Sequence, residues 1–121
     1  MRALYLAAAL FLLGCAPPAT LTEVEREVFV PSCVFSSCHK GLGASGLSLE
    51  GKTYARIVNV DAVDAPGRKL VVAKDLKASY LYEKISSNTP QTGTRMPQGA
   101  VMDQESLDLV KSWIEAGAKD D

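Results

Sequence analysis

Two cysteines and the only histidine of the chain fall within one short segment, which constrains the protein more than any other feature. The segment runs from Cys33 to His39 and reads Cys-Val-Phe-Ser-Ser-Cys-His; we refer to it as the Cys-His motif. Two thiols this close can form a local disulfide once the backbone turns. A zinc site would need a fourth ligand from a carboxylate, because the sequence has no second Cys/His cluster.

Covalent attachment of haem is a third chemistry that uses these residue types in this order. Each thiol adds across one vinyl group of the haem, and the adjacent imidazole then binds the iron through a neutral nitrogen. The usual spacing places two residues between the cysteines, whereas Cys33 and Cys38 have four between them. The longer spacer remains feasible because it can loop out while both sulfur atoms reach the same ring.

The chain after residue 21 resembles the c-type cytochromes. The resemblance depends on the Cys-His motif, on Arg95–Met96–Pro97 in a later loop, and on a terminal helix around Trp113. It implies a mostly α fold, a small helical domain with long loops, and covalently bound haem c. It also implies that His39 and Met96 are the two iron ligands, and that the protein carries electrons to and from redox partner proteins.

Met96 has two interpretations. A methionine usually fills gaps in a core, but Met96 lies in a polar loop, residues 87–100, that is rich in proline and glycine. Such a loop can direct a thioether towards iron. Met102 is the competing methionine, and the absence of a second histidine excludes ligation by two histidines of one chain.

The N-terminal segment has the pattern of a signal peptide. Arg2 precedes an apolar run, Ala3 to Leu13, that is too short to span a bilayer. The run ends at Leu12–Leu13–Gly14–Cys15, which resembles a bacterial lipobox. We therefore expect a signal peptide over residues 1–14 and lipid on Cys15; the alternative is an ordinary secretory signal with an incidental cysteine.

Lipid on Cys15 would anchor the protein in the cell envelope without a transmembrane helix. The compartment outside the cytoplasm is oxidising, so Cys33 and Cys38 should be joined either to haem or to each other. Ala16 follows the lipobox cysteine in place of the aspartate that retains many lipoproteins at an inner membrane, and this resemblance favours the outer membrane. Residues 15–21 are predicted to form a stiff, proline-containing tether, and residues 22–121 the cytochrome c-like domain.

Periodic apolar residues predict three main helices. The first begins with a capping box of Thr22 and Glu25, buries Val24 and Val28, and ends at Pro31. A second helix, capped by Asp75, runs to about residue 86. The last is capped by Asp103, buries Leu107, Val110 and Ile114, and ends at Gly117. Lys52 to Val58 is predicted to be a short helix, residues 60–72 a hairpin or loop, and residues 41–51 a loop. By the resemblance, the first and last helices pack together, which would place Val24 and Val28 against Val110 and Ile114.

Charge and residue content exclude several classes of function. The formal net charge of −1 argues against a nucleic-acid partner, which would require a basic excess. A hydrolytic triad needs a histidine base, and the only histidine belongs to the Cys-His motif, so we do not expect an enzyme. Two functions remain: an electron-carrying haem lipoprotein, and a non-haem lipoprotein module closed by a Cys33–Cys38 disulfide.

Overall fold

The computed structural model describes residues 14–43 and 45–121. The predicted signal peptide, apart from Gly14, lies outside the described residues. Within them the chain forms four helices joined by long loops: α1 (residues 21–32), α2 (Tyr54–Ile57), α3 (Tyr80–Ser86) and α4 (Gln104–Glu115). Extended pairing in this part of the chain is limited to isolated bridges, such as that between Val58 and Val71. The prediction of a mostly α domain is therefore confirmed.

Helix α1 changes its hydrogen-bond pattern along its length. An α-helical turn, Leu21–Val24, leads into a π-helical segment, Glu25–Phe29, and Val30–Ser32 completes the helix. The N–H of Val30 donates to the carbonyl of Glu25, five residues earlier. This pairing is typical of a π turn, which is rare and occurs mostly as a single turn within an α-helix.

The start and the end of α1 differ from the prediction. Thr20 is the N-cap, and its side chain accepts from the N–H of Glu23, whose carboxylate accepts from Thr20 in return. The predicted box of Thr22 and Glu25 is therefore wrong. The N–H and hydroxyl of Thr22 instead donate to the carbonyl of Asp121, both at 2.9 Å. Pro31 lies within the last segment, and the helix continues to Ser32.

Helix α4 begins and ends as its sequence predicts. The side chain of Asp103 accepts from the N–H of Ser106 at 2.8 Å. At the other end, Gly117 has φ of +120°, a value that glycine adopts without strain. The N–H of Gly117 donates to Ile114, and that of Ala118 donates to Trp113. These two bonds form a Schellman motif, which satisfies carbonyls that the helix itself cannot pair.

Helices α1 and α4 pack against each other and form the centre of the core. The predicted residues Val24, Val28, Val110 and Ile114 are all fully buried there, and Trp113 is 1 % exposed. Burying an apolar side chain of this size contributes about 1.5–3 kcal/mol. The predicted packing of the first helix against the last is therefore present, whereas Leu107 is only half-buried.

Helix α3 starts later than predicted. Asp75 does not cap it: its carboxylate accepts from the N–H of Ala78 at 3.0 Å and so caps a separate turn. The hydroxyl of Ser79 then donates to the carbonyl of Asp75 at 2.8 Å, and the helix begins at Tyr80. The segment before it, residues 60–72, is a loop with isolated bridges.

No helix among residues 14–43 and 45–121 combines the length and the apolar character that crossing a membrane requires.

Candidate cysteine-histidine site

The Cys-His motif follows directly from α1 and turns back on itself. Cys33 is the C-cap of the helix, and its N–H donates to the carbonyl of Phe29 at 2.8 Å. The N–H of Cys38 donates to the carbonyl of Phe35 at 2.9 Å, and that of His39 donates to the carbonyl of Cys33 at 3.2 Å. These bonds close a loop that brings the backbones of the first and last residues of the motif together.

The two thiols of the motif have different surroundings. Both are free; Cys33 is half-buried and Cys38 is exposed. Burial, and then the nearby Cys38, raise the pKa of the Cys33 thiol to about 11. Because the thiolate is the reactive form in disulfide chemistry, Cys33 is a poor nucleophile at neutral pH.

The ring of His39 is oriented by the loop that follows it. Its Nδ1 lies 2.9 Å from the carbonyl oxygen of Leu47. A carbonyl only accepts hydrogen bonds, so Nδ1 is the donor in this contact, and Nε2 is the ring nitrogen that a neutral imidazole would offer to a metal. A second oxygen, Oγ of Ser45, also lies 2.9 Å from Nδ1. A neutral imidazole held through one nitrogen is the arrangement in which the other nitrogen binds a metal.

The loop after the motif approaches the motif backbone closely at Gly43. A Cβ atom at this position would lie 2.3 Å from the carbonyl oxygen of Cys38. Only glycine fits such a contact without a shift of the backbone. The glycine-rich composition of residues 41–51 therefore allows the loop to fold back beneath the motif.

Met96 lies in a loop that is fastened to α3. Its N–H donates to the carbonyl of Lys84 at 2.7 Å. Nearer the start of this loop, the N–H of Gln91 donates to the carboxylate of Glu83 at 2.8 Å, and the hydroxyl of Tyr80 donates to the carbonyl of Thr92 at 3.2 Å. The prediction that residues 87–100 form a loop is confirmed. Hydrogen bonds to α3 hold the part of this loop that carries Met96.

The structure brings the predicted site residues together only in part. Cys33, Cys38 and His39 share one turn. Met96 is half-buried and packs against the same core cluster as Cys33. Met102, the competing methionine, is itself a member of that core at 5 % exposure. Cys15 is exposed in the extended segment before α1.

Exposed apolar side chains flank both the Cys-His motif and the Met96 loop, residues 87–100. Of the five large apolar side chains that are exposed in the described residues, Val30, Phe35 and Leu42 lie within or beside the Cys-His motif. A fourth, Val101, follows the Met96 loop, and the fifth is Val63. Large exposed apolar surface marks sites that contact a ligand, a membrane or another protein.

Other features of the described residues bear on metals and cavities. Residues 14–43 and 45–121 contain no group of three His, Cys, Asp or Glu side chains that could hold a metal ion, so the zinc interpretation gains no support. One cavity of ≈ 380 Å³ lies beside the Met96 loop and is lined by Thr94, Arg95, Gly99, Ala100 and Val101. Another of ≈ 400 Å³ lies between the tether and α4.

Sequence reasoning missed the groups that position the candidate ligands. They are the carbonyl of Leu47, the hydroxyl of Ser45 and the carbonyl of Lys84. Every residue carries a carbonyl, so no residue type in the sequence could reveal two of these three groups.

No protein-family model matches the chain, and no curated protein or solved structure matches it either.

Proposed function

We propose that the chain is a membrane-anchored haem c lipoprotein that carries electrons outside the cytoplasm. Cys33 and Cys38 would hold the haem through two thioethers, and His39 and Met96 would bind its iron. Bound haem supplies a reversible one-electron change at the iron. Cys15 would carry the lipid, which places the domain in the cell envelope, with the outer membrane favoured by Ala16.

The orientation of the His39 ring is the observation that carries this proposal. Nδ1 donates to the carbonyl of Leu47 at 2.9 Å, so Nε2 is the nitrogen that a neutral ring would offer to iron, in the residue that follows Cys38. Haem-binding and metal-binding histidines are commonly held in this way, because the bond fixes both the tautomer and the ring direction.

The surroundings of the motif are also compatible with a large apolar ring. Val30, Phe35 and Leu42 are exposed beside the motif, and contacts with an apolar ring would remove part of their surface from water. Met96 offers a half-buried thioether on the same core. These residues offer sulfur and nitrogen donors and apolar side chains of the kind that haem c uses, which supports the proposal.

Intact mass is the decisive experiment. The chain should be expressed with a periplasmic haem-maturation system, and the mature polypeptide should then gain the mass of one haem. The matched control is the double variant Cys33→Ser, Cys38→Ser, which should carry no covalent haem. A wild-type mass that shows only the loss of two hydrogen atoms would identify a disulfide and overturn the haem proposal.

The lipid anchor has its own control, Cys15→Ser. This variant should keep its haem but lose the lipid, and it should be soluble or remain unprocessed. If the variant is processed and still fractionates with membranes as wild type does, Cys15 is not the anchor.

The alternative function is a non-haem lipoprotein module closed by a Cys33–Cys38 disulfide. The turn that returns the backbone of His39 to Cys33 favours it, because the two cysteines of this turn are brought close. The raised pKa of Cys33 slows attack by this thiol, whereas Cys38 is exposed and can be the attacking thiol of the pair. The mass measurement above separates the two functions.

A further inference from the structure

The tether joins the folded domain at one end of α1. Ala19 is 9 % exposed, and its N–H donates to Oγ of Ser112 on α4 at 3.0 Å. The N–H of Leu21 donates to the carboxylate of Asp121, also at 3.0 Å. The chain is therefore part of the folded body from Ala19 onwards, and only the exposed residues 15–18 connect this body to the lipid site.

The Cys-His motif lies at the opposite end of the same helix. Residues 21–32 form α1, and Cys33 is its C-cap. A helix of this length spans about 18 Å at an α-helical rise per residue. The four peptide steps from Cys15 to Ala19 reach about 14 Å when fully extended. The exposed tether, residues 15–18, is thus shorter than α1, which separates its attachment point at Ala19 from the Cys-His motif.

We infer that the anchored domain stands with the start of α1 towards the membrane and presents the Cys-His motif to the aqueous side. The redox partner is then a protein that docks from the aqueous phase, not a quinol dissolved in the bilayer. The orientation requires only the lipid on Cys15, whereas the nature of the partner rests on the proposed electron-carrier function.

The surfaces at the two ends of α1 agree with this orientation. Val30, Phe35 and Leu42 are exposed at the motif end, and the part of their surface that bound haem would leave uncovered is suited to contact with a protein partner. At the tether end, Glu23, Glu105 and Asp108 line the ≈ 400 Å³ cavity together with Pro17 and Ala19. These acidic groups are repelled by anionic lipid headgroups, which disfavours insertion of this end and leaves the tether to set its distance from the bilayer.

Two exposed lysines report on the orientation without any need for haem. Lys119 is exposed near the tether end: its carbonyl accepts from Nε1 of Trp113, and it precedes Asp121, which binds the start of α1. Lys40 is exposed and follows His39. The lipidated chain on vesicles and the unlipidated Cys15→Ser chain should be treated with a bulky, water-soluble amine reagent, and labelling should be followed by peptide mass spectrometry.

We expect anchoring to slow the labelling of Lys119 several-fold and to leave that of Lys40 unchanged. The matched control inserts about twenty Gly/Ser residues between Ala16 and Pro17, a linker whose mean span of about 25 Å exceeds the length of α1. This insertion should remove the difference. Protection of Lys40 equal to or greater than that of Lys119 would overturn the inference, and so would a wild-type chain without lipid on Cys15.

The partner is tested on haem-loaded protein in the same vesicles. A quinol dissolved in the bilayer should reduce the wild-type chain several-fold more slowly than it reduces the chain with the long tether. A small water-soluble reductant should reduce both at the same rate. Equal quinol rates would overturn the assignment of an aqueous partner. Absence of covalent haem with an unchanged lysine pattern would overturn the electron-carrier proposal while the orientation stands.

Discussion

The α1–α4 interface and the two ligand loops are stabilised by different forces. The interface consists of buried apolar side chains around Trp113. The ligand loops, which we define as residues 33–43 with 45–49 and 87–100, pack only partly against this core and depend in addition on directed hydrogen bonds to carbonyl and carboxylate groups. Apolar burial sets the stability of the domain, whereas directed hydrogen bonds orient the candidate ligands. Substitutions should therefore separate loss of stability from loss of ligation.

The largest expected effect comes from the centre of the interface. Trp113→Ala removes a side chain that is 1 % exposed and also its bond from Nε1 to the carbonyl of Lys119. We expect a loss of about 3–5 kcal/mol in the free energy of unfolding, measured by urea denaturation. Val63→Ala, at a side chain that is 92 % exposed, should leave stability unchanged. A loss at Trp113 as small as that at Val63 would contradict the assigned core.

The two methionines test the comparison directly, because one lies in each region. Met102→Ala should lower the free energy of unfolding by about 2–5 kcal/mol, since Met102 is buried in the core. It should nevertheless keep the weak far-red charge-transfer band that sulfur-to-iron ligation produces in the haem-loaded protein. Met96→Ala should abolish that band and open the iron to carbon monoxide, with a smaller loss of stability because Met96 is only half-buried.

The opposite pattern would show that Met96 is not the methionine that binds the iron. If Met102→Ala removes the band and Met96→Ala keeps it, Met102 is the ligand. If wild-type protein with covalent haem never shows the band, the His/Met carrier is wrong.

Glu25 connects the interface to the rest of the chain. Its carboxylate accepts from the N–H and the hydroxyl of Thr53, at 2.7 and 2.8 Å, and Thr53 is fully buried. Glu25→Ala leaves these two donors unpaired, so we expect a loss of about 2 kcal/mol in urea denaturation. Glu27→Ala is the matched control: Glu27 is exposed and pairs with Arg26 at the surface, where such pairs contribute little. Equal losses for the two variants would contradict the role of Glu25.

The smallest effect is a pH dependence at the Met96 loop. The hydrogen bond from Arg68, followed by that from the N–H of Gln91, lowers the pKa of the Glu83 carboxyl below its ordinary value of 4.5. A group whose pKa is lower in the folded state stabilises the protein above its ordinary pKa, and this contribution is lost as the pH falls through the folded value. Glu83→Gln should therefore reduce the loss of stability below about pH 4.5, measured as the melting temperature against pH. Glu115→Gln, an exposed control on α4, should leave the acid slope as in wild type.

The elements that follow from local sequence were predictable, and those that depend on distant contacts were not. Helix α4 carries its own start and stop signals, Asp103 and Gly117, and the structure uses both. At α1 the sequence offers two overlapping Thr-x-x-Glu boxes, beginning at Thr20 and at Thr22. The structure selects the first, because Thr22 is bound by Asp121, 99 residues away. No local pattern could reveal that contact.

The candidate site was likewise predictable where it depends on residue types, and not where it depends on contacts formed in the folded chain. The Cys-His motif and the loop position of Met96 could be identified from residue types. The tautomer of His39 depends on the carbonyl of Leu47, eight residues later, and the attachment of Met96 depends on the carbonyl of Lys84. These acceptors belong to the backbone, and only the folded chain determines which carbonyl each donor meets.

The π-helical segment Glu25–Phe29 has a consequence for tolerance to insertions and deletions. In an α-helix each residue advances the side-chain direction by about 100°, so gain or loss of one residue rotates everything that follows. The π-helical segment of α1 already contains the extra residue of a π turn. Deletion of one residue there would let α1 become a regular helix, and the direction in which Cys33 leaves the helix would change little relative to α4. The π-helical segment thus accommodates one extra residue between the part of α1 that packs against α4 and the Cys-His motif that follows the helix.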